Sequence, residues 1–167
     1  MEHKPNRRNP DKFREQYGDV SGYSWATSRV RWCTTILKTQ VIDKYLKELK
    51  EQFNVVECVG IAADETKRIN RENNQAKRLP LVEWGWSEAD CLNYCYALGY
   101  DWGGLYNYFD RVSCWCCPLQ SLDDLRNLRT HFPQLWDELK DMDKRTWRKF
   151  RADYSVEELD IRFKFEE

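Results

Sequence analysis

The sequence predicts an α/β fold dominated by helices, with a short, mainly parallel sheet. Three observations predict it. Apolar residues between Thr35 and Lys50 recur near a period of 3.6, as on one face of a helix. Val55-Val56-Glu57-Cys58-Val59-Gly60-Ile61-Ala62 is an apolar, β-branched run of strand length. Further helical patterns with their own start and stop signals follow it as far as residue 142.

Residues 1–24 are polar and interrupted by Pro5, Pro10, Gly18 and Gly22. They read as a mobile arm, basic at Lys4, Arg7 and Arg8, with a short helix near Asp11–Gln16. The first clear element is the Thr35–Lys50 helix, with Ile36, Leu37, Val41, Tyr45, Leu46 and Leu49 on its apolar face. Cys33 falls at its N-terminal end, where a thiolate is favoured, and Arg31 lies just before it. The Val55–Ala62 run reads as a buried strand, and Cys58 within it as a small core residue. Residues 63–78 are polar enough for a loop or an exposed helix, with Asp64 and Glu65 as acidic partners for Arg68. Leu79–Trp84 fits a second short strand, which Pro80 confines to a strand start or an edge.

Ser87-Glu88-Ala89-Asp90 has the form of a capping box opening a helix that Gly99 ends. Cys91 and Cys95 share a face of that helix, either as a ligand pair or, as their apolar setting favours, as small core residues. Ser121 opens the next helix, with Leu122, Leu125 and Leu128 inward. Pro133 starts another, carrying Leu135, Trp136 and Leu139. Residues 143–167 read as a charged helical tail. Its basic run Lys144, Arg145, Arg148, Lys149 and Arg151, interleaved with Trp147 and Phe150, reads as a solvated helix face balanced by acidic residues after it; weaker support goes to nucleic-acid contact.

Composition bounds the function. The net charge is −1, so no global charge draws the chain to nucleic acid or a membrane. No stretch approaches the apolar length of a membrane span, and Met1 is not followed by an apolar leader. A cytoplasmic location is expected, in which the 7 Cys are reduced thiols or metal ligands. With 8 Trp, 9 Tyr and 7 Phe, the chain has rings enough for a large core or for a stacking site for bases.

The chemistry concentrates at Cys114-Trp115-Cys116-Cys117-Pro118. Cys114 and Cys117 have the C-x-x-C spacing with which two sulfurs grip one metal or cluster from a tight turn. Cys33 is the candidate third ligand. Cys116 is the candidate fourth, although adjacent residues seldom both face one metal. The competing reading is that all these thiols are free and packed. Arg31 and Lys38, flanking Cys33, and Arg111, beside the tetrad, are candidate phosphate or nucleotide contacts. His3 lies in the arm, and His131 reads as an exposed cation at a helix C-terminus.

Arg31-Trp32-Cys33-Thr34 through Leu37-Lys38, Gly60-Ile61-Ala62-Ala63-Asp64-Glu65, Pro80-Leu81-Val82-Glu83-Trp84 and Ser113-Cys114-Trp115-Cys116-Cys117-Pro118 occur in an order that resembles the phosphoadenosine phosphosulfate (PAPS) reductase family. The likeness extends through Leu128–Leu139 and gives residues 25–142 the aspect of a C-terminal portion of such a protein. It implies a partial adenine-nucleotide α-hydrolase-like fold, a nucleotide site at the end of a parallel sheet, and a nearby iron–sulfur cluster, with zinc as the alternative. In cluster-bearing members a Cys-Cys pair and a later C-x-x-C supply the ligands. Cys33 matches one of the pair, Thr34 stands at the other, and Cys114 and Cys117 match the later two.

The departures are specific. The family's Ser-Gly-Gly-Lys-Asp-Ser type of phosphate loop is missing and is expected upstream of residue 1. Ala62 stands where Arg is usual. No cysteine follows Cys117 to serve as the reductases' catalytic thiol. Three readings follow. The first is the cluster-bearing part of an ATP- or sulfonucleotide-using protein, completed by an upstream segment or partner. The second is a non-catalytic, metal-stabilised module that binds nucleic acid or protein. The third is a degenerate remnant. A half-fold of this kind is also expected to expose a sheet edge, and so to self-associate or take a partner there.

Overall fold

Five of the helical patterns become helices, and the strands do not form. The computed structural model describes residues 24–71 and 76–166, together with Asp11, Arg14, Glu15 and Gly18; the rest of the expected N-terminal arm, His3 included, lies outside the described residues. The chain divides into two compact units, Ile36–Leu105, and Met1–Thr35 with Tyr106–Glu167.

In the Ile36–Leu105 unit, helical structure arrives through a π-helical stretch, Thr35–Thr39, and continues as α1, Gln40–Lys50. The helix is amphipathic as its spacing predicts, but its apolar stripe is open: Leu37, Val41 and Tyr45 are each about 60% exposed. After it the chain runs extended, and one parallel bridge, Cys58 to Arg78, is all that remains of the expected sheet among the described residues. The Val59 N–H donates to the Arg78 carbonyl and the Arg78 N–H to the Glu57 carbonyl, both at 2.9 Å. Glu57 sits between Lys50 at 2.8 Å and Lys77 at 3.3 Å. Within the Val55–Ala62 run only Ile61 and Ala62 are buried, and Cys58 is exposed, not the core residue predicted.

The second expected strand is a helical turn, Pro80–Glu83. Proline at the first helical position has its φ already set, and its missing N–H costs nothing there. The Trp84 N–H closes the turn onto the Pro80 carbonyl at 2.9 Å. A single-turn helix at Thr66–Ile69 lies within the polar 63–78 stretch, and Glu65 pairs with Arg68 as expected. The capping box forms: the Ser87 hydroxyl accepts from the Asp90 N–H at 3.1 Å, and Asp90 accepts from the Ser87 N–H at 2.9 Å. It starts α2, Glu88–Ala97. Asp64 adds a carboxylate 3.2 Å from the Glu88 N–H at the same helix start. Gly99 then takes a φ of 84°, which a side chain would strain.

The other unit holds the core. Its helices are α3, Leu122–His131; α4, Pro133–Lys144; and α5, Val156–Glu166. Phe132 alone separates α3 from α4, so they form a tight helical hairpin. Leu125, Leu128, Trp136, Leu139, Phe150, Val156, Leu159 and Phe163 make one buried cluster. Burying side chains of this size contributes about 1.5–3 kcal/mol each. The 143–167 segment, set apart by its charge in the sequence, thus supplies half of that cluster. Apart from Lys144, which ends α4, the basic run lies in the turns between α4 and α5, not on a helix face. Its balance by acidic residues does hold, with Lys149 2.6 Å from Glu158. The 24–31 segment is tied in by Trp25, whose ring meets Phe150 at 5.0 Å and whose Nε1–H donates to Asp143 at 2.7 Å.

The molecule is therefore mainly α among the described residues. The predicted α/β class, a partial adenine-nucleotide α-hydrolase-like fold with a parallel sheet, is overturned. A single isolated bridge does not extend into the ladder of successive bridges that makes a sheet. Among the described residues there is no sheet, and hence no sheet edge of the kind the expected association names. Among the described residues no helix is long and apolar enough to cross a membrane.

Candidate functional site

The cysteine tetrad follows a lead-in of 3-10 turns, Trp102–Asn107, in which Gly103 and Gly104 have φ of 64° and 75°. Past it the chain makes one tight turn. The Cys117 N–H donates to the Cys114 carbonyl at 3.1 Å, so the two C-x-x-C cysteines begin and end the same turn. Gln120 fixes it from below: its side-chain amide donates to the Cys114 carbonyl at 2.9 Å, and its backbone N–H to the Cys117 carbonyl at 3.2 Å. Arg151 then donates to the Gln120 carbonyl at 2.7 Å, tying the turn to the α4–α5 connection. Sequence reasoning missed Gln120 and Arg151 as supports. No local pattern marks them, because the two are brought together by the helical core.

The four thiols differ in surroundings. Cys114 is exposed, Cys33 and Cys117 are half-buried, and none is in a disulfide. Trp115 and Cys116 pack against the core cluster. Burial pushes the Cys116 thiol up, and the neighbouring Cys114, Cys117 and Cys33 add to the shift. Cys33 and the tetrad therefore belong to one unit and one electrostatic neighbourhood. Arg31 and Arg111, both exposed, lie in that unit; Lys38 falls in the other.

The donor types suit a thiophilic ion, since zinc and iron–sulfur clusters take thiolate ligands. The arrangement as folded does not yet gather them: among the described residues no three His, Cys, Asp or Glu side chains sit closely enough to hold an ion. Cys116, turned into the core with a raised pKa, is the thiol least prepared to ligate. Cys91 and Cys95, in the other unit, are half-buried on α2, and burial likewise raises the Cys91 thiol. His131 ends α3, exposed, with its ring 4.4 Å from that of Tyr108.

No family model and no solved structure matches the chain. Two uncharacterized proteins of Methanocaldococcus jannaschii are similar to it. MJ0066 is 29% identical over 128 residues, which cover 71% of this chain and 26% of that protein. MJ0973 is 22% identical over 126 residues, covering 71% of this chain and 30% of that protein. The chain thus spans less than a third of the length of the curated relatives it matches.

Proposed function

We propose that this chain is the thiol-bearing portion of a PAPS reductase-like protein of cytoplasmic sulfur chemistry, carrying a cysteine-ligated iron–sulfur or zinc site beside a nucleotide site. The observation that carries the reading is the hydrogen-bonded Cys114–Cys117 turn in the same unit as Cys33. Cys114 and Cys117 would supply two ligands from one turn and Cys33 a third, with Cys116 the reserve. When bound, the group would either relay electrons or serve as a structural tie. Arg31 and Arg111 would hold the phosphate of an ATP or sulfonucleotide. The phosphate loop that these contacts lack would come from an upstream segment or a partner.

Iron, zinc and acid-labile sulfide content, with a visible spectrum, tests this on protein purified without oxygen. Iron and sulfide near stoichiometry, lost in Cys114→Ala and Cys117→Ala, are expected for a cluster; zinc lost in the same variants is expected for the alternative. Metal-free protein from anaerobic purification would sink both.

A further inference from the structure

The helical unit contains a pocket of about 470 Å³, a volume typical of small-molecule sites. Three separate segments build it: Ala26–Ser28, Pro118–Leu119 and Trp147–Asp153. The first is a closed turn, with the Thr27 N–H on the Val30 carbonyl and the Val30 N–H on the Thr27 hydroxyl, both at 3.0 Å. The second directly follows the cysteine turn. The third is held by Phe150, which is buried in the core, and by the Arg151 N–H donating to the Tyr154 carbonyl at 2.8 Å. The walls are thus fixed by backbone bonds and core packing.

The charge of the lining selects a ligand class. Arg148, Lys149 and Arg151 share the lining with one carboxylate, Asp153, and Glu158 pairs with Lys149 from outside it, so one positive charge is left over. Lys149 is shared with Glu158 behind it, and Asp153 lies 3.5 Å from the Arg151 Nε. That Nε–H is buried without a hydrogen bond, and the same guanidinium donates through Nη1 to the Gln120 carbonyl at 2.7 Å. The Arg148 guanidinium lies over the Trp147 ring, 5.8 Å from its centroid, which steadies it at the rim. Thr27 and Ser28 add hydroxyls, and Ala26, Pro118 and Leu119 add an apolar wall. A phosphate monoester carries about −1.5 to −2 at neutral pH, the sign that this surplus attracts, and arginine forks match its oxygens.

We propose that this pocket binds the phosphate monoester group of a small organic molecule, whose apolar part lies along the Pro118–Leu119 wall. The pocket's lining shares no residue with the Arg31, Lys38 and Arg111 set, and the proposal does not depend on a metal at the cysteines.

Calorimetric titration of the full chain at low salt tests it, with AMP, inorganic phosphate and adenosine as probes. AMP and phosphate are expected to bind, with affinity falling as salt rises, and adenosine to bind about ten-fold more weakly than AMP or less. Arg148→Glu, at an exposed position, is expected to weaken AMP binding by about ten-fold or more without moving the melting temperature. Lys149→Gln provides a second variant should Arg148→Glu disturb folding. Lys47→Ala, an exposed cation outside both sets of residues, is expected to leave AMP affinity unchanged. No heat with either AMP or phosphate at millimolar concentration would overturn the proposal. So would adenosine binding as tightly as AMP, or a loss that follows Arg31→Ala and spares Arg148→Glu.

Discussion

Asp160 is a buried carboxylate that faces three cations, Arg129, Lys140 and Lys164. Its side chain is 5% exposed on α5, inside the helical core. Burial alone would raise its pKa, but hydrogen bonds from Lys164, Trp136 and Arg129, and the nearby Lys140, outweigh it and hold the carboxyl well below its ordinary value of 3.8. The distances are 2.8 Å to Lys164, 2.9 Å to the Trp136 Nε1 and 3.0 Å to Arg129. One carboxylate therefore ties together α3, α4 and α5. A depressed folded pKa means that the stabilisation is fully present above the unfolded value and is lost as pH falls through the folded one. Chemical denaturation from pH 7 downward should show stability falling once pH drops below about 4. Asp160→Asn should lower stability at pH 7 by roughly 3 kcal/mol, because it leaves three cations facing a neutral amide, and should flatten the acid limb. An unchanged acid limb in that variant would move the titration to other carboxylates, of which Glu158, held at about 2 by Lys149 and the Ser155 N–H, is the first candidate.

The local signals were legible where the chain carries its own instructions. Ser87 and Asp90 make a reciprocal cap from neighbouring residues alone, and the leucines of α3 sit at the spacing that buries them. Ser87→Ala should therefore destabilise the protein by about 1 kcal/mol, measured by denaturant unfolding, and should selectively fray the first turn of α2 in amide exchange. A change below a few tenths would mean that Asp64, which reaches the Glu88 N–H, caps the helix without it. A second box, Ser155 with Glu158, starts α5 and was readable by the same S-x-x-E rule, yet the basic run before it drew the eye to charge. The strands were not legible for a physical reason. β-branched residues at Val55, Val56 and Val59 favour an extended backbone, but extension becomes a sheet only with neighbours, and the chain provides one bridge. Pro80 reads equally as a strand boundary or as a helix start, and only the surrounding chain decides between them. The cysteine turn was legible in its spacing. Its fastening through Gln120 to Arg151 was not, and neither was the pocket, because both depend on contacts between segments far apart in sequence.

The two units are unequal in what holds them. All eight residues of the buried cluster lie in the unit that contains α3, α4 and α5. In the Ile36–Leu105 unit the buried hydrophobic residues among those described are Ile61 and Ala62, while Leu37, Val41, Ile42, Tyr45, Phe53 and Val56 are exposed. A strongly amphipathic helix with an open apolar face gains little from burial and must rely on its own propensity, which is marginal for a helix of 11 residues. Native-state amide exchange should then separate the units. Amides in the middle of α3–α5 should exchange only through global unfolding, at roughly 5 kcal/mol or more. Those of α1 and α2 should open at several kcal/mol less, with small urea dependence, as sub-global events do. Val41→Lys, which replaces an exposed apolar group, should leave global stability within about 0.5 kcal/mol, whereas Leu128→Ala should cost about 2–5 kcal/mol. Equal protection in α1 and α3 would show that the isolated chain covers the α1 face in solution, and a concentration series in the same exchange experiment would distinguish cover by a second copy from cover within one chain.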